Sequence, residues 1–125
     1  MRKVLVLAVA LAALTIACWA TVAWAEDEAA RDATRADVRC VLAMTIVMRD
    51  DTYRSAGALG LYYFSGRIDA RNPDIDLAEA VRHEARQMQS SQYAVEIRRC
   101  NEAVQAKVKS FEAFKAAFEK RGVGR

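Results

Sequence analysis

One proline, one histidine and five glycines are spread through 125 residues. Each scarcity excludes something. The lone proline, Pro73, leaves long stretches in which nothing forbids a helix. The lone histidine, His83, falls short of a zinc site, which takes three or four ligands. Glu79 lies one helical turn before it, but one imidazole and one carboxylate do not enclose a metal. His83-Glu84 also lacks the second histidine of a metalloprotease box. No glycine-rich phosphate loop is present. None of Ser55, Ser65, Ser90, Ser91 and Ser110 stands in a Gly-x-Ser-x-Gly elbow. Asp74-Ile75-Asp76 is too short for a calcium loop and reads as helix capping. No C-x-x-C pair suggests redox catalysis. The expectation is a non-enzymatic protein with no catalytic residues, cofactor or metal.

Excess charge of one sign is missing too. Nineteen Lys and Arg stand against sixteen Asp and Glu. Arg2 and Lys3 precede an apolar run from Val4 to Ile16 that is interrupted only by Thr15. Ala23-Trp24-Ala25 then meets Glu26-Asp27-Glu28. This is the layout of a secretory signal peptide, with residues 1–25 removed and 26–125 forming one exported domain, periplasmic or secreted. Without Arg2 and Lys3 the balance is 17 to 16, a net +1. Such a surface excludes the concentrated basic face that nucleic acid needs. Two alternatives keep a membrane connection. Val4 to Ala25 is 22 uncharged residues, long enough to remain as an anchor. Ile16-Ala17-Cys18 resembles the end of a lipoprotein box.

Cys18 leaves with the leader, so the domain keeps Cys40 and Cys100. In an oxidising compartment an even pair reads as one disulfide.

Apolar periodicity predicts four helices and so an all-α, four-helix bundle. The first runs from about Asp27 to Arg49. Nine of the eleven residues from Val38 to Met48 are apolar, which marks it as central, although Val41, Ile46 and Val47 also suit a strand. Asp50-Asp51-Thr52 is expected to cap a second helix, about Tyr53 to Asp69. Its inner face would hold Tyr53, Gly57, Gly60, Leu61, Phe64 and Ile68, with the glycines and Ala56 forming a shallow groove that a neighbouring helix fills. Tyr62 and Tyr63 fall off this face and, with Leu59, are candidates for a partner surface or for packing on another helix. Asp76 and Glu79 form a capping box for a third helix, to about Gln89, with a stripe of Leu77, Val81, Ala85 and Met88. Glu84 interrupts that stripe. Either its long side chain reaches out to water or it makes a partly buried pair with a lysine. His83 faces away, among charged residues.

The fourth helix, about Ser91 to Lys120, carries Tyr93, Ile97, Cys100, Val104, Val108, Phe111, Phe114 and Phe118 on one arc, broken by Lys107 and Lys115. Lys120-Arg121-Gly122 would end it. At 1.5 Å per residue it measures about 45 Å. A compact domain of this size is only about 35 Å across. The helix must therefore overhang, exposing Phe114 and Phe118, or bend near Asn101 and bury them. An overhang would serve self-association, a client protein or an anionic membrane surface.

The segment Gly60-Leu-Tyr-Tyr-Phe-Ser-Gly-Arg-Ile-Asp-Ala-Arg-Asn-Pro-Asp-Ile-Asp-Leu77 resembles a pattern in small exported proteins of Gram-negative bacteria that have no assigned function. It implies export and no particular activity. The layout of leader, small helical domain, one disulfide and lysine-rich last helix is similar to that of the periplasmic acid-stress chaperones. The functional expectation is a binding or chaperone-like protein with an apolar helical surface. The alternative is a structural or inhibitor-type subunit held by one dedicated partner.

Overall fold

The structure is a computed structural model that describes residues 27–120. The expected leader, its boundary at Ala25 and Cys18 lie outside these residues, as do Arg121 and Gly122. Among the described residues there are four helices and no strand: α1 (27–47), α2 (Arg54–Arg71), α3 (Leu77–Gln87) and α4 (Ser90–Lys120). The all-α expectation holds, and the strand alternative for Val41 to Val47 does not. None of these helices is long and apolar enough to cross a membrane.

The chain divides into two compact units, Met1–Ala33 and Thr34–Arg125. In the first, residues 27–33 are helical, with an ion pair of 3.1 Å between Arg31 and Asp27 one turn apart. The second holds the bundle. Its core is Val38, Cys40, Val41, Ala43 and Met44 from α1, Phe64 and Ile68 from α2, and Cys100 and Val104 from α4. Leu77, Ala80 and Val81 of α3 pack on its edge. The expected bridge joins Cys40 to Cys100, with Cα atoms 5.4 Å apart.

α2 packs against both α1 and α4, and its glycines permit this. A Cβ on Gly57 would meet the Met48 backbone nitrogen at 2.9 Å and the Met44 carbonyl oxygen at 3.0 Å. On Gly60 it would strike the Met44 Cγ at 2.7 Å. The groove is thus filled by α1, as expected. Tyr53 departs from expectation: it precedes α2 and is exposed rather than part of the inner face. No side chain caps this helix. Asp50 Oδ1 instead accepts the Thr52 N–H at 2.8 Å, tightening the preceding turn, and Asp51 pairs with Arg54.

Asp76 caps α3 by accepting the Glu79 N–H at 2.9 Å. Only this half of the capping box forms. The Glu79 carboxylate turns outward to Arg82 and Arg86, each at 3.0 Å, and these hydrogen bonds, Arg86 first, lower its pKa. α3 stops at Gln87 because Met88 and Gln89 leave helical geometry, and the Gln89 N–H donates to Gln92 Oε1 at 2.7 Å.

Candidate functional site

α4 is continuous from Ser90 to Lys120, so the bend near Asn101 does not occur. Its seam repeats every seven residues, at Ile97, Val104, Phe111 and Phe118, with Cys100 and Phe114 between, the spacing of a helix that packs lengthwise on another. The two halves of the seam meet different fates. Cys100 and Val104 are buried, and Ile97 and Val108 pack on the core. From Lys109 to Lys120 every residue is exposed. Phe111, Phe114 and Phe118 are 66%, 61% and 44% exposed. Their rings form a ladder with centroids 6.1 and 6.0 Å apart. Lys107, which interrupts the seam, is exposed, and Lys115 lies 3.8 Å from Glu119 beside the ladder.

The tyrosine pair separates. Tyr62 is 75% exposed, with Leu59 exposed one turn before it. Tyr63 is half-buried against the core. Its ring meets Phe64 edge to face at 4.9 Å, with the Arg67 guanidinium 5.5 Å from its centroid. Tyr63 is therefore a packing residue and not part of an exposed patch.

Glu84 overturns both readings offered for it. Only 4% exposed, it neither reaches water nor meets a lysine. Arg35 and Arg39 of α1 each donate to one of its oxygens at 2.7 Å. Burial pushes its pKa up, but the hydrogen bonds and charges of Arg39 and Arg35 outweigh burial and hold it below the ordinary glutamate value. Asp37, midway between Arg35 and Arg39 on α1, mirrors it: it is buried and held by Arg67, at 3.1 Å, and Arg71 of α2. Arg99 of α4 completes the set. It donates to the Ala36 carbonyl at 2.9 Å and pairs with Glu96. Sequence reading missed Asp37. The one available signal was its charge at the border of the apolar run. These networks lock all three other helices to residues 35–39.

The sulfurs of Cys40 and Cys100 and a Glu96 oxygen lie within 4.8 Å of one another, the spacing of a metal cluster. The sulfurs are bonded to each other, and Arg99 lies 3.2 Å from the Cys40 Sγ. A disulfide beside a guanidinium is a poor cation ligand. His83 is exposed, and its Nε2 contacts the Gln87 amide at 2.9 Å. What the arrangement offers is surface: a built interior and one aromatic ladder outside it. No protein-family model matches the chain, and neither the curated proteins nor the solved structures contain a match to it.

Proposed function

We propose that the protein is exported and works without catalysis, as a helical binding module whose α4 ladder docks on another protein. The carrying observation is the continuity of the seam. Its first half is covered by α1 and α2, and its second half, with three phenylalanines, is covered by nothing among the described residues. Contiguous exposed aromatics on a folded domain mark interaction sites. The complement to a seven-residue apolar repeat is the apolar face of a second helix. Export is supported by the leader-like residues 1–25 and by the disulfide, which oxidising compartments preserve.

The test is the double substitution Phe114→Ser and Phe118→Ser. The variant is expected to stay folded, with its melting temperature lowered by no more than about 4–8 °C, the scale of two exposed substitutions of about 0.5 kcal/mol each, and to lose capture of partner proteins from an extract of the compartment to which the protein is exported. A variant that unfolds, or one that binds as the parent does, sinks the proposal. Capture of one stoichiometric partner would indicate a dedicated subunit, and capture of many would indicate a chaperone-like role.

A further inference from the structure

Beside the core, the last turn of α1, the entry to α2 and the early turns of α4 line a half-open pocket of about 400 Å³, with Met44 at its buried floor and Tyr53, Ala56, Ala94, Arg98 and Asn101 exposed at its rim. Met44, Val47, Tyr53, Ala56, Ala94 and Ile97 form its apolar wall, and Arg98 and Asn101 form its polar end. Its volume lies toward the small end of the range for small-molecule sites.

Arg98 distinguishes this cavity from an ordinary packing defect. Arg35, Arg39, Arg67, Arg71 and Arg99 each hold a carboxylate. Arg98, one residue from Arg99, makes no ion pair or hydrogen bond among the described residues, although carboxylates pair with its neighbours throughout the bundle. The guanidinium fork is shaped for a carboxylate, and the Asn101 amide adds donors within one turn of helix. A single cation matches a monoanion, not a phosphate dianion.

We propose that this cavity binds a small apolar carboxylate of the medium-chain alkanoate class. The hydrocarbon lies against Met44, Val47, Ala56 and Ile97, and the carboxylate is held by Arg98 and Asn101. The site is separate from the α4 ladder and does not depend on the reading given for it.

The test titrates octanoate, octanol and octylammonium into the purified protein and follows the methyl resonances of Met44 and Ile97. Octanoate is expected to saturate these shifts, with the other two at least about tenfold weaker, the scale of one charge-assisted hydrogen-bonded contact. Arg98→Ala is expected to cost octanoate about tenfold and leave octanol unchanged. Arg98→Glu should invert the preference towards octylammonium. Arg98 is exposed, so both variants keep the core, which a circular dichroism melt checks. Ala94→Trp fills the cavity and should abolish all three shifts. Equal affinity for the three compounds, or no shift at millimolar octanoate, overturns the proposal. So does Arg98-dependent binding of a leucine-terminated peptide in the absence of octanoate binding, because the occupant would then be a chain terminus.

Discussion

At the scale of single residues, the bundle separates glycines that are needed from one that is not. Gly57 faces backbone atoms of α1 that cannot move aside. Gly57→Ala should therefore destabilise the protein by at least about 1 kcal/mol, despite the gain in helix propensity. Gly66 has open space around it within the same helix. Gly66→Ala should stabilise by about 0.5–1 kcal/mol, and paired urea titrations would show the opposite signs. Glu84 supplies a second contrast. Its folded pKa is depressed, so the stability it contributes is fully present above the unfolded glutamate value, about 4.3, and is lost as pH falls through the lower folded value. Stability should be flat in this respect at neutral pH and fall in acid. Glu84→Gln should cost about 2–3 kcal/mol at pH 7, the scale of hydrogen bonds to a charged group, and should flatten the acid limb. An unchanged acid limb in Glu84→Gln would show that the Arg35 and Arg39 contacts carry no linkage.

Among the elements, α4 is built in two parts that stability measurements will separate. Val104 lies in the core and Val104→Ala should cost about 2 kcal/mol. Serine at Phe114 should cost no more than about 0.5 kcal/mol, as at other exposed positions. Amide exchange should follow the same division, with protection near the global value at Cys100 and Val104 and little protection from Lys109 onward, because every residue there is exposed and no tertiary contact among the described residues holds those turns. Much of this was legible beforehand. The 3.6-residue rhythm set out all four helices within two residues or so at most ends, and helix length against domain size narrowed α4 to two outcomes, an overhang at Phe114 and Phe118 or a bend near Asn101, between which the structure decides. Cys40 and Cys100 were readable because, once Cys18 is assigned to the expected leader, an even pair leaves little choice. The failures share a cause. Glu84 was judged against the stripe of its own helix, while its partners Arg35 and Arg39 stand 45 or more residues upstream, at a register no local pattern encodes. Asp37 passed unnoticed because Arg67 and Arg71 meet it only after α2 has packed. Tyr63 was grouped with Tyr62 by adjacency, although neighbours in a helix point about 100° apart.

At the largest scale, residues 35–40 of α1 are where the helices of the bundle are tied together. Arginine and carboxylate contacts to α2, α3 and α4 start there, and so does the disulfide. The bridge closes a loop of 60 residues, which the chain-entropy account values at about 4 kcal/mol. Reduction should lower the melting temperature by more than about 10 °C. A shift of a degree or two on calorimetry would mean that the ion-pair network alone holds α1 to α4. The same bridge turns the polypeptide into a ring with two tails. α2, α3 and the turns on either side of them all lie on the ring between Cys40 and Cys100. A protease that cuts the exposed turn at Asn72–Asp74 therefore opens the ring but releases nothing: the two pieces migrate together until a thiol is added. A cut in the α4 tail beyond Cys100 frees a peptide at once. Damage in a compartment rich in proteases would thus strip the phenylalanine ladder from the molecule while leaving the bundle in one covalent piece.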